Sequence, residues 1–531
     1  MPAAAALVLL NASLTFGNVW PTLKIQWHSA LSIELAVCVL LLAVSHRWAE
    51  RLARRALPAV WVLLVAGHYL DVTAPGLYGR DFNLYWDSQH LGNVAAMLAR
   101  SVPWWLIALV AVAVVASAVA AYLLARLALG LVASAVQRER PRFAIGALAL
   151  VAIGVFAAGQ VSGRHTTGLT FSDPATGAYF RQARSVLAMV GPGRVAPALA
   201  ESPNLDVDLR GLDGADVMLA FVESYGAVTY DNPAFADALG PSRANFETAV
   251  HDAGREVVSA YVESPTFGAS SWLAHLSLLT GIKVTDQYSY TSLMTSSRDT
   301  IVRAFSRNGY RTVALMPGMR QPWPEGAFYG FDAIYGRDLL AYQGPEFGWW
   351  SIPDQYALAK LDALERSKRP RPPVFVVFPT STSHAPFGPV APYLPDWSRT
   401  LMLDAYNGAD LARAAAPDLT NLAPSYARAI AYEYDVFAGY AREHADDNLV
   451  MILIGDHQPP AAVSGENQPR DVPVHVITSR RHVLDQLRAH GFRDGVTPAR
   501  PAAGELHALV PTLLTAFTAQ DGEAPATSSP Q

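Results

Sequence analysis

Apolar residues crowd the front of the chain in long blocks and then give way to short, alternating ones. Five blocks, at about 3–16, 29–44, 57–70, 104–124 and 143–161, read as membrane-spanning helices. The first three are short for a span. Block 3–16 has the length of a signal-peptide core, but it lacks a basic leading segment and a clear small-residue cleavage site. The loops give a consistency check. Residues 46–55 hold Arg47, Arg51, Arg54 and Arg55, and residues 137–142 hold Arg138, Arg140 and Arg142. Excess Lys and Arg marks cytoplasmic loops. Five spans meet that condition when the N-terminus is inside, and the chain beyond about residue 162 is then extracytoplasmic. Loop 71–100 falls on the same outer side, where Tyr78, Phe82, Tyr85 and Trp86 suit the interface.

The expected organisation is a transmembrane domain over 1–162, a linker over 163–213, a soluble domain over 214–521 and a disordered tail over 522–531. The linker is rich in Gly, Pro, Ser and Thr, with one helical piece near 179–190. In the soluble part, buried-strand patterns occur at 216–222, 255–263, 311–316, 373–378, 449–454 and 472–477. Helical patterns occur at 271–280, 299–308, 354–366, 424–444 and 506–517. Strands alternating with helices imply a mainly parallel sheet sandwiched by helices.

Composition changes this picture little. Hydrophobic residues make up 51% and charged residues 16% of 531, a balance that fits membrane spans. The net charge of −5, with no long basic run, argues against nucleic-acid binding. The single cysteine, Cys38, excludes an internal disulfide and a zinc site built from several cysteines.

Candidate chemistry sits at the ends of the expected strands. Glu223 ends the first strand, and Ser270 and Ser271 follow the second and open a helix. His384 follows the strand at 373–378, and Asp456 and His457 end the apolar run 450–454. In open α/β sheets, ligands bind beyond the carboxyl ends of the strands, and only that edge lets such distant residues converge. Carboxylates with an imidazole suit a divalent cation, for which manganese and zinc both match the ligand set. A serine at a helix N-terminus beside that ion would be an activated nucleophile, and His384 would orient substrate or protonate a leaving oxygen. His475, inside a strand, and His507 read as structural, His275 reads as a helix-face residue, and Trp349-Trp350 reads as packing.

The order Phe221-Val222-Glu223-Ser224, Ser270-Ser271-Trp272, Ser277-Leu278-Leu279-Thr280-Gly281, Ser383-His384-Ala385-Pro386-Phe387 and Gly455-Asp456-His457-Gln458 resembles the alkaline phosphatase/sulfatase superfamily. The five-span layout is similar to membrane-bound lipoteichoic acid synthases and phosphoethanolamine transferases. The resemblance implies an alkaline phosphatase-like fold with Glu223, Ser271, Asp456 and His457 on the metal. It also implies a hydroxyl nucleophile that takes a phosphoglycerol or phosphoethanolamine group from a membrane phospholipid. A phospho-serine intermediate would pass the group to a glycan or lipid acceptor outside the inner membrane.

Counting back from Ser277 along the sulfatase pattern selects Ser271 as nucleophile, whereas matching the synthases' Thr-Ser pair selects Ser270. The sulfatase Pro and Arg positions hold Leu273 and His275, which argues against formylglycine chemistry. The synthases grip the head group with a Trp and an Arg. Trp323 matches loosely, the Arg position holds Glu325, and Arg320 is a substitute. A hydrolase using the same site, and a catalytically inactive membrane sensor, are the competing readings.

Overall fold

The computed structural model describes residues 2–18, 25–45, 48–78, 81–89, 91–92, 95, 99, 103–162, 170–190, 199–348, 352–367, 369–465 and 467–518. Arg47, Trp349, Trp350 and the tail 522–531 lie outside the described residues. The chain divides into two compact units, Met1–Arg194 and Val195–Gln531.

In the first unit, every apolar block of the sequence is helical: α1 (Pro2–Ala12), α2 (Ile33–Val44), α3 (Leu57–Tyr78), α4 (Trp104–Val136) and α5 (Glu139–Ser162), followed by α6 (Ala175–Val190). Among the described residues, three segments are long and apolar enough to cross a membrane, namely Leu57–Pro75, Trp104–Val136 and Glu139–Gln160. At a rise of 1.5 Å per residue, α1 and α2 are each only about 17 Å long, short of a hydrocarbon core of about 30 Å. α4 outruns its expected end because nothing between Ala125 and Val136 breaks a helix except Gly130. Its Leu109, Val112, Val115 and Leu123 are exposed, whereas Leu129, Val132 and Val136 are buried with Leu10, Leu42 and Trp61. A helix that is apolar all round and exposed over its first half is suited to lipid.

The second unit is built on an eight-stranded sheet. In chain order the strands are β1 (Asp216–Val222), β2 (Glu256–Glu263), β3 (Arg311–Leu315), β4 (Ala333–Tyr335), β5 (Val374–Pro379), β6 (Leu449–Gly455), β7 (Asp471–Thr478) and β8 (Arg493–Asp494). Their order across the sheet is β8-β2-β7-β6-β1-β5-β3-β4. β1 pairs in parallel with β5 and β6, and β3 pairs in parallel with β4 and β5. β7 runs antiparallel to both β2 and β6, and β8 runs antiparallel to β2. The carboxyl ends of β1, β2, β3, β5 and β6 therefore share one edge.

Side chains alternate between faces along a strand, and β1 buries both of its sets. Met218, Ala220 and Val222 join one core with α7 (Pro233–Asp252) and α9 (Ala423–Glu443). Val217, Leu219 and Phe221 join the other with α8 (Ser271–Thr280). Continuous apolar strands are what a sheet covered on both faces requires. α7 is absent from the sequence reading because Pro241 and many polar positions obscure its stripe of Phe235, Leu239, Phe246 and Val250.

At the functional edge, the chain leaving β1 passes directly over the end of β6. A Cβ added to Gly455 would lie 1.9 Å from the Tyr225 carbonyl oxygen, a backbone atom that cannot rotate away. Gly455→Ala is therefore expected to cost about 3 kcal/mol of stability, read as a lowered unfolding midpoint of the detergent-solubilised protein.

Candidate active site

α8 starts the site. Ser270 adopts a left-handed backbone (φ 69°) at the N-cap position, and Ser271 opens the helix. The helix is anchored by buried Leu273, Ala274, Leu276, Leu278 and Leu279 and ends at Gly281 (φ 66°). The polar residues of the Ser-Leu-Leu-Thr-Gly run are structural. Ser277 Oγ donates to the Leu273 carbonyl and accepts from Val284 N, and Thr280 Oγ1 donates to the Leu276 carbonyl. The loop before the helix is tied to the exit of β6, because Ser264 Oγ donates to the Asp456 carbonyl and Gly268 N donates to the Gln458 carbonyl. These ties carry Ser271 to His457.

Four of the expected residues converge. Ser271 Oγ donates to Glu223 Oε2 at 2.9 Å and lies 3.1 Å from His457 Nε2. That nitrogen is 3.3 Å from Glu223 Oε1 and 3.8 Å from Asp456 Oδ2. Ligand atoms of Glu223, Asp456 and His457 all lie within 4.8 Å of one another. The Ser270 side chain makes no capping bond to the helix.

The electrostatics fit a cation. Glu223, Asp456 and His457 are 6%, 0% and 1% exposed, and buried charge requires compensation. Asp456 Oδ1 accepts from Ser224 N at 2.8 Å and from His457 N at 2.7 Å. Its Oδ2 is buried with no hydrogen-bond partner. His457 Nδ1 faces the Gln458 carbonyl at 2.7 Å. Nδ1 must therefore carry a proton, which leaves Nε2 to face the cluster. A divalent ion would satisfy the orphaned Oδ2 and offset the two carboxylates, so the donor set fits the metal that the sequence implies.

Burial opposes ionisation of Glu223, but the charges of His384 and His457 and the bond to His457 outweigh it and hold the carboxyl below its usual range. Burial likewise opposes protonation of His457, but Asp456 and Glu223 prevail and lift it from 6.5 to about 9. A folded-state pKa raised in this way stabilises the metal-free protein fully below pH 6.5, and that contribution is lost as pH rises through about 9. Metal must displace the Nε2 proton. Apparent affinity is therefore expected to rise about tenfold per pH unit from pH 6.5 towards pH 9, which metal titration across that interval will check.

The remaining expected residues are placed as follows. His384 follows β5, is half-buried, and bonds through Nδ1 to the Ala385 carbonyl at 2.7 Å. It lines a small cavity with Phe347, Ser381, Thr382 and Pro386. Asp354 holds the approach to it by accepting from Ser381 N and Thr382 N. Arg320, in the loop after β3, reaches Glu346 at 3.4 Å, and Glu346 also pairs with Arg337. Trp323 packs on Tyr329, with ring centroids 5.4 Å apart. His475 is a core histidine between Tyr225 and Ser259, and burial pushes it down to about 3. His507 pairs with Glu505.

His275 lies on α8, as a helix-face residue would, and its Nε2 is 3.7 Å from Asp456 Oδ2. The signal available in the sequence was its spacing, four residues after Ser271 and hence on the same side of α8.

Residues 272–493 match the Sulfatase family model, and no curated protein matches the chain. Among solved structures, the chain is similar to the lipoteichoic acid synthase LtaP from Listeria monocytogenes, at 14% identity over 58% of this chain and 73% of that one, with a TM-score of 0.38. It is similar to the integral membrane lipooligosaccharide phosphoethanolamine transferase A (EptA) from Neisseria meningitidis, at 16% identity over 92% and 90%, with a TM-score of 0.39. It is also similar to the phosphoglycerol transferase GacH from Streptococcus pyogenes, at 11% identity over 61% and 83%, with a TM-score of 0.35.

Proposed function

We propose, from the premise that residues 272–493 are a Sulfatase-family domain of a metal-dependent phosphotransferase or hydrolase, that this protein is a membrane-anchored transferase of phospholipid head groups. The group moved is phosphoglycerol or phosphoethanolamine, and the acceptor is an extracytoplasmic glycan or lipid. The observation that carries the reading is the position of Ser271 Oγ, at the start of α8 and bonded between Glu223 and His457.

Glu223, Asp456 and His457 would hold the divalent ion, with Ser271 Oγ at its edge. When bound, the ion supplies a lowered pKa for the Ser271 hydroxyl and neutralises charge on the phosphoryl oxygens. Ser271 enters as the alkoxide, its proton lost to solvent before the cycle begins; Oγ attacks the lipid phosphorus, the bond to the diacylglycerol oxygen breaks, a phosphodiester forms on Ser271, and Oγ later leaves as the same alkoxide. Backbone N–H groups in the first turn of α8 face the anionic oxygens. His384 gives a proton to the departing diacylglycerol oxygen and takes one from the incoming acceptor hydroxyl. That hydroxyl then displaces Ser271 Oγ and regenerates it.

The membrane helices support a lipid donor, because the head group must be met at the bilayer surface. The basic stretch Arg138–Arg142 at the start of α5 supports a cytoplasmic start for that helix. One crossing by α5 then leaves Val195–Gln531 outside, whichever of the earlier apolar helices span. The test is incubation with head-group-labelled phosphatidylglycerol and phosphatidylethanolamine. Release of diacylglycerol with label trapped on Ser271 is the expected result. Turnover of a soluble ester with neither lipid consumed would make the protein a hydrolase.

A further inference from the structure

The mechanism above makes no use of His275, whose side chain is 16% exposed. His275 lies one turn along α8 from Ser271, with its ring against Phe221 of β1 at 4.2 Å between centroids. Its Nε2 is 3.7 Å from Asp456 Oδ2, and both atoms are buried without a hydrogen-bond partner. Two orphaned polar atoms this close are a costly pair unless they are brought to bonding distance. Asp456 Oδ1 cannot serve the imidazole, since it already accepts two backbone N–H groups. Oδ2 has two lone pairs, enough for one donor beside an ion. The set of mutually close ligand atoms contains Glu223, Asp456 and His457 but not His275. Ligands of one ion at about 2.1 Å sit at most about 4.2 Å apart, so His275 acts from outside the ion's reach.

We infer that His275 is a positioning residue of this metal centre: its Nε2–H donates to Asp456 Oδ2 and fixes which lone pair of that oxygen points at the ion. The inference rests on the metal-centre reading proposed above. Closing 3.7 Å to a hydrogen bond of about 2.9 Å needs only a small turn of either side chain. A carboxylate ligand held in this way keeps its orientation when the ion leaves and returns, and such supports commonly set metal affinity. At the position where sulfatases carry arginine, the shorter imidazole supplies one donor to this oxygen.

The test is metal affinity of the full chain in detergent, titrated with manganese and with zinc against a chelating dye. His275→Ala is expected to weaken binding by about ten- to a hundredfold. His275→Gln, whose amide N–H can reach the same oxygen, is expected to restore it to within about threefold. Unchanged affinity in His275→Ala overturns the inference. So does equal weakening in both variants, because that would be the mark of lost packing on Phe221. A wild-type chain that binds neither metal removes the metal-centre reading itself, an outcome distinct from the other two.

Discussion

Ser271→Ala is expected to lower turnover at least about a thousandfold, because it removes the atom to which the phosphoryl group transfers. Ser270→Ala is expected to retain most activity. The two serines are adjacent, yet they occupy different roles in the backbone. Ser270 takes the left-handed conformation that turns the chain into α8, and Ser271 points its hydroxyl at Glu223 and His457. Neither variant removes a helix cap, since Ser270 makes no capping bond, so the comparison is one of chemistry and not of folding. Metal affinity is expected to change less than about tenfold in Ser271→Ala, because a neutral hydroxyl adds little beside two carboxylates and an imidazole. Activity and metal titration on the same preparations will decide it. An inactive Ser270→Ala beside an active Ser271→Ala would reverse the assignment.

The sheet and the converging edge were legible because they follow from patterns that do not depend on distant partners. Val450–Ile454 can only be a buried strand, and a buried strand ending in Gly-Asp-His presents those residues at the edge where open sheets bind ligands. The contacts of Ser271 with Glu223 and His457 were not legible, since they follow a left-handed backbone at residue 270. Nor was the part played by His275, which becomes visible only when β6 brings Asp456 across from a place 181 positions further along. Helix lengths in the membrane unit were partly hidden for a related reason. Apolar content marks where a span lies, whereas the extension of α4 to Val136 reflects packing of its last turns against α1, α2 and α3.

Asp456→Asn is expected to weaken metal binding by more than about a hundredfold, beyond what loss of a supporting residue costs, while leaving the metal-free fold at least as stable as the wild type above about pH 9, where His457 is neutral. The two effects have opposite origins at one side chain. The asparagine carbonyl can still accept from Ser224 N and His457 N, the bonds that hold the turn after β6. Its amide takes the place of Oδ2, a buried oxygen without a hydrogen-bond partner, so above about pH 9, where His457 no longer offsets it, one buried charge is removed and about 1 kcal/mol or more is recovered. Asp456 is also the largest of the influences that raise His457 towards 9. The variant should therefore shed less stability than wild type as pH rises from 6.5 to about 9. Metal stabilises the wild type by RT ln(1 + M/Kd), where M is the free metal concentration. Adding metal should consequently separate the two melting curves in favour of the wild type, and removing it should close or invert the gap. A purely structural aspartate predicts the reverse: a variant that is less stable without metal, by an amount that metal does not alter.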